Sequence, residues 1–151
     1  MPNIIHRIGI SNTTPTKVYN SIATIDGIRM WWTTSITGIS KEDHVINFRF
    51  GEGGPDFKVI KLEPYKRVEW QCVSGPPEWI DTHIEFNIIE QKDDVVLIFK
   101  HSGWRKEVEF MHHCSTQWAY FLIGLKDELS GIRNAKPFGS IEFERISNWS
   151  K

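Results

Sequence analysis

The period at which apolar residues recur changes once along these 151 residues, and that change limits the fold more than any other feature. In the strand segments up to position 102 the period is two. Ile46/Phe48/Phe50, Val68/Trp70/Cys72 and Ile80/Thr82/Ile84/Phe86/Ile88 share one parity, while Asn47/Arg49, Glu69/Gln71 and Asp81/His83/Glu85/Asn87 take the other. Successive side chains alternate across a strand, so such segments make a sheet with one apolar and one wet face. Over 105–129 the spacing becomes three or four, through Met111, Cys114, Trp118, Leu122, Leu125 and Leu129. That is one long amphipathic helix. An apolar sheet face and an apolar helix stripe must bury each other, which predicts an α+β domain with the helix laid across the sheet.

Seven strands are predicted. Ile4, His6, Ile8 and Ile10 mark the first, ending near Ser11, and the others span 35–40, 45–50, 57–63, 67–73, 79–90 and 95–102. Short polar joints at 41–44, 64–66 and 91–94 have hairpin length, so sequential neighbours pair antiparallel. After the first strand, Thr14 supplies a hydroxyl cap and Pro15 a first helical residue whose missing N–H is harmless, predicting a short helix to about Ile22. Asp26-Gly27 is read as its break, with Ile28 to Trp32 as a second short helical turn. Ser130-Gly131 ends the long helix. The chain is one domain over 1–151, since no repeat, low-complexity tract or linker divides it, and the tail 130–151 is an added arm or strand.

The segments agree in order with a known fold. Thr14-Pro15-Thr16-Lys17-Val18-Tyr19 followed by Met30-Trp31-Trp32, then Phe57 to Pro64, Arg67-Val68-Glu69-Trp70, Phe99 to Trp104 and Trp118 to Leu122 resemble the START-like (SRPBCC) superfamily. The branch most resembled is that of the activator of the ninety-kilodalton heat-shock-protein ATPase. The resemblance runs from about Ile4 to Leu129. It implies the helix-grip fold: a curved antiparallel sheet of about seven strands around a long C-terminal helix, with two short helices after strand one. It also implies a chaperone as partner. Two departures stand out, since the loop 51–56 follows a strand without the expected arginine-glycine-glycine pattern, and the tail beyond Leu129 exceeds the usual end.

Composition removes several functions. Lys plus Arg number 18 and Asp plus Glu 19, leaving no basic footprint for nucleic acid or anionic lipid. The opening residues lack the basic start and apolar stretch of a signal peptide, and no segment approaches the roughly 18 apolar residues of a membrane span, so a cytoplasmic monomer or homodimer is expected. Cys72 and Cys114 have no recognisable pairing and are read as reduced core thiols.

A curved sheet closing on a helix tends to leave a pocket, and seven Trp, nine Phe and three Tyr supply walls for one. Face parity and helical spacing place Trp31, Trp32, Phe48, Trp70, Ile84 and Phe86 on one side and Cys114, Trp118 and Leu122 on the other. The plainer reading is that they fill the core. His6, His101 and Cys114 are the polar groups able to orient a guest, although a lone histidine on an apolar face is commonly a hydrogen-bonded core residue. His112-His113-Cys114 cannot converge on one ion, because neighbouring helical residues point about 100° apart. No glycine-flanked serine elbow, Cys–His spacing or buried carboxylate pair names a catalytic residue. The loop 51–54 lacks a P-loop lysine and is read as an entrance lid. The leading expectation is therefore a binding domain for a small apolar or amphipathic molecule, without cofactor or metal. A chaperone-ATPase-activating interaction domain, using outer-face residues such as Arg49, Glu69 and Glu85, is the first alternative, and a cyclase- or hydratase-type enzyme the second.

Overall fold

Residues 1–131 are described by a computed structural model. The expected arm or strand at the C-terminus lies outside them beyond Gly131. Seven strands form one antiparallel sheet in the order β1-β7-β6-β5-β4-β3-β2. They are β1 (Ile4–Ile10), β2 (Ser35–Gly38), β3 (Val45–Arg49), β4 (Asp56–Glu63), β5 (Arg67–Ser74), β6 (His83–Glu90) and β7 (Val95–Ser102). Consecutive strands from β2 to β7 are neighbours, and β1 closes on β7 with Ile4 opposite His101 and Ile10 opposite Val95. The antiparallel α+β helix-grip architecture is thus as the alternation and the resemblance predict. Where β4 meets β5 the register slips, Val59 facing Trp70 and Lys61 facing Glu69, so that Ile60 is the extra residue of a bulge. Such a residue bends its strand and increases local twist.

Two short helices join β1 to β2. Helix α1 (Pro15–Ala23) opens on Thr14, whose hydroxyl accepts from the Lys17 N–H at 3.2 Å. Helix α2 (Ile25–Arg29) opens on Thr24, which accepts from the Gly27 N–H at 3.0 Å. The break therefore falls at Thr24, and Asp26-Gly27 lies inside α2 rather than between the helices. The reason is packing: a β-carbon on Gly27 would stand 2.2 Å from the Asn20 carbonyl oxygen of α1. The glycine is there to let two helices touch. Beyond α2 the chain delivers Trp31 and Trp32 to the interior, and the Trp31 indole donates to the Ser21 carbonyl at 2.8 Å.

Two boundaries differ from the periodicity. Strand β6 starts at His83, because Pro77–Trp79 form a 3-10 turn that the Pro76-Pro77 pair favours. Helix α3 (Glu109–Ser130) starts four residues after position 105. Gly103 at φ +85 turns the chain, and Arg105 is drawn away to donate to the Pro77 carbonyl at 2.6 Å. The far end fits expectation, with Gly131 in the left-handed region at φ 79. Helix α3 lies along β1, where a ring nitrogen of His6 is 3.2 Å from the Ser115 carbonyl. The loop expected as a lid is a tied hairpin turn: the Phe50 N–H donates to Gly53, that of Phe48 to Pro55, and a β-carbon on Gly54 would meet the Phe48 carbonyl at 2.0 Å.

Candidate functional site

The residues expected to line a pocket all reach the interior. Trp31, Trp32, Phe48, Trp70, Ile84, Phe86, Cys114, Trp118 and Leu122 belong to one buried cluster, and His101 is buried beside it. Parity predicts this much because β3, β5 and β6 turn the same face toward α3. What parity cannot give is the spacing between the layers, and here the layers meet. The Trp32 ring centroid is 4.6 Å from that of Phe48, 4.9 Å from that of Trp118, and 6.3 Å from Trp70, on which it stacks at 7°. Trp70 meets Phe86 edge-on at 5.3 Å. These are the separations of aromatic rings in contact.

Several members of the layer escape the sequence reading. Phe99 of β7 lies 4.5 Å from Trp118, and Trp79 stacks on Trp118 at 5.9 Å. Trp104, carried by the loop before α3, packs at 4.9 Å from His101. Phe99 shares the apolar parity of β7, a signal that was there to use. Trp79 and Trp104 sit in a 3-10 turn and a loop, where no period applies.

The gap left between Trp32, Trp79, Cys114, Trp118, Phe121, His113 and Gln117 has a volume of about 10 Å³. That is room for about one water, whereas ligand pockets typically run to roughly 300–1,000 Å³. Among the described residues, the space expected to hold a guest, between Trp32, Trp79 and Trp118, is taken up largely by the protein's own indoles. Two polar atoms border the gap without a hydrogen-bond partner, His113 Nε2 and Gln117 Oε1.

Inside the layer, the indole N–H groups of Trp70 and Trp104 are buried without a hydrogen-bond partner, whereas the polar groups around His101 satisfy one another. Thr82 donates its hydroxyl proton to the Trp79 carbonyl at 2.6 Å, so its oxygen is free to accept from His101 Nε2 at 2.8 Å. His101 Nδ1 accepts from the Trp118 indole at 3.2 Å. The network fixes one neutral tautomer, with the proton on Nε2. Burial pushes the His101 imidazole down to about 3, because a charged ring would be stranded among indoles. Both nitrogens are engaged, and His101 ties β7 to β6 and α3 rather than pointing a free group at a guest. Cys114 is held up at about 12, chiefly by burial, which outweighs the indole of Trp79 donating to its sulfur. Cys72 is likewise raised to about 12 by burial. Neither thiol ionises near neutral pH, so neither is a nucleophile as it stands. Among the described residues no group of three metal-ligating side chains converges, and no helix is long and apolar enough to cross a membrane.

The outer sheet face is organised differently. Arg67 of β5 bridges Glu69 at 2.5 Å and Glu85 of β6 at 2.6 Å, and His83 Nδ1 lies 2.7 Å from the other oxygen of Glu69. The pairing register puts Glu69 opposite Glu85, and Arg67 offsets the repulsion of two like charges there. Arg49 belongs to a separate brace, its guanidinium donating to Asp56 at 2.8 Å and to the Phe48 carbonyl at 2.8 Å. It holds the β3–β4 turn.

Residues 12–130 match the family model described as Activator of Hsp90 ATPase homolog 1-like protein. The chain is 43% identical to a dimeric Aha1 from Colwellia psychrerythraea, whose solution structure superposes with a TM-score of 0.81 over 89% of this chain and all of that one. The protein MLL2253 from Mesorhizobium loti shares 19% identity at a TM-score of 0.74, covering 88% of this chain and 99% of its own, and CalU16 from Micromonospora echinospora 18% at 0.69, covering 87% and 76%. These last two likenesses speak for the fold alone. No match is found among curated proteins.

Proposed function

Because this chain belongs to the Activator of Hsp90 ATPase homolog 1-like family, we propose that it acts as a protein-binding module of the co-chaperone kind, offering the wet face of its sheet to a chaperone ATPase. The observation that carries this reading is the contrast between the two faces of the sheet. Between Trp32, Trp79 and Trp118 the inner face leaves a gap of about 10 Å³, while the outer face holds Arg67 in ion pairs with Glu69 and Glu85, with His83 2.7 Å from Glu69. These charges are mostly covered, with 33% of the Arg67, 15% of the Glu69 and 19% of the Glu85 side chain exposed, and charges fixed in this way steer encounter and set register with a partner. Glu69 and Glu85 are the natural probes, since Arg49 is committed to its own hairpin.

Stimulation of a purified chaperone ATPase of the Hsp90 type tests the proposal. We expect the native chain to raise turnover and the double variant Glu69→Gln, Glu85→Gln to lose most of that effect while keeping its circular dichroism. Equal stimulation by both proteins would reject the outer face, and none by either would reject the co-chaperone role. The dimeric relative motivates a homodimer here as well, read by light scattering as twice the 17.6 kDa of one chain.

A second reading keeps the small apolar or amphipathic guest. It is favoured by the unpartnered His113 Nε2 and Gln117 Oε1, which border the gap beside Trp118 as a polar mouth would. A guest would have to part the indole layer. Titration with a fluorescent fatty-acid analogue decides: saturable binding weakened by Gln117→Leu supports the reading, and no saturation ends it.

A further inference from the structure

Two connecting segments meet beside the start of α3. One is the 3-10 turn Pro77–Trp79, and the other is the stretch 104–108 that leads from β7 into the helix. Arg105 fastens them, donating to the Pro77 carbonyl at 2.6 Å and to that of Ile80 at 3.3 Å. Between them lies a cavity of about 250 Å³ bordered by Glu78, Trp104, Arg105, Lys106 and Val108. It shares no residue with the gap beside Trp118.

Two polar atoms at this cavity lack partners. Trp104 is only 1% exposed, and its indole N–H has no acceptor. On the facing turn, Glu78 keeps one carboxyl oxygen, Oε1, buried without a donor. A buried polar atom left unpaired forfeits its bond to water and gains nothing in exchange, so a donor and an acceptor orphaned beside one space need an explanation. Both atoms are covered from bulk solvent, and a guest in the cavity would pair with them as the indole and the carboxyl turn toward it.

Charge at the rim selects the guest. Arg105 and Lys106 set two cations against the single carboxylate of Glu78. Helix α3 opens there on Val108, which has no side-chain oxygen to cap the first N–H groups. A carboxylate is therefore favoured on the side of 104–108, where the indole N–H can also bond it, and an ammonium on the side of Glu78. The volume, below the roughly 300–1,000 Å³ of pockets for drug-sized ligands, suits a small molecule carrying both groups.

We propose that this cavity binds a zwitterionic α-amino acid, its carboxylate taken by the Trp104 indole and Lys106 and its ammonium by Glu78.

Nuclear magnetic resonance of the full chain, with each common amino acid added singly up to about 10 mM, tests this. At least one should move the Trp104 indole N–H resonance saturably, that resonance being assigned through its absence from Trp104→Phe. Glu78→Gln should weaken the binding by about tenfold or more, and Lys106→Ala several-fold, with the rest of the spectrum kept. The same ligand without its amino group should also bind about tenfold more weakly. A Trp104 resonance that no amino acid shifts would overturn the proposal. So would binding untouched by Glu78→Gln, or a deaminated acid that binds as tightly as the amino acid, since the cavity would then take any anion.

Discussion

His101 shows how one residue sets a pH limit. Its imidazole titrates near 6.5 in an unfolded chain and near 3 when buried between Thr82 and Trp118. Between those values the unfolded state binds the extra proton, so stability falls as pH falls, and above 6.5 the contribution is flat. Urea unfolding should lose up to about 1.4 kcal/mol per pH unit through this window, and His101→Gln should remove that part of the slope. A variant with an unchanged slope would mean that the ring is protonated in the folded state. Trp118 belongs to the same argument. Trp118→Ala should destabilise by about 3–5 kcal/mol, because it opens a cavity among Trp32, Phe99 and Trp79 and leaves His101 Nδ1 without its donor. Thermal melting checks it, and a shift of only a degree or two would show that the layer collapses to fill the hole.

Among the elements, the pair α1–α2 depends on a single missing side chain. Gly27→Ala places a carbon where the Asn20 carbonyl already sits, so the helices must separate, and a loss of about 1–3 kcal/mol is expected despite alanine's better helix propensity. If the melting temperature instead rises, the helices are not pressed together there. The same glycine explains why the sequence misplaces the break: Gly marks a helix end as readily as a close contact, and only the packed partner tells which. Strand periodicity was readable wherever one face is buried, as in 67–73 and 95–102. It failed at Trp79 to Thr82, where alternation continues through a turn that hydrogen bonds to strands without being one. The site was legible to the same degree. Parity names which side chains face inward from Phe48 to Leu122, but Trp79 and Trp104 enter from irregular backbone, and Trp79 narrows the gap beside Trp118 to about 10 Å³.

For the molecule as a whole, inside and outside divide two kinds of work. Aromatic contact fills the interior, and the ion pairs of Arg67 with Glu69 and Glu85, with His83 beside Glu69, set a charge pattern on the outer face of the sheet. A partner recognised through that pattern should associate more slowly in salt: raising ionic strength from about 0.05 to 0.5 M should cut the association rate several-fold while leaving the melting temperature nearly fixed. An association rate indifferent to salt would place recognition on apolar surface instead. The pairing of β1 with β7 bears on how the chain is made. Ile4 and His101 are neighbours in the sheet but 97 positions apart in the order of synthesis, so β1 is made well before the strand it pairs with. Until then β1 is a bare apolar ribbon on a nascent chain, and the protein's own birth is a moment at which it would need a chaperone's company.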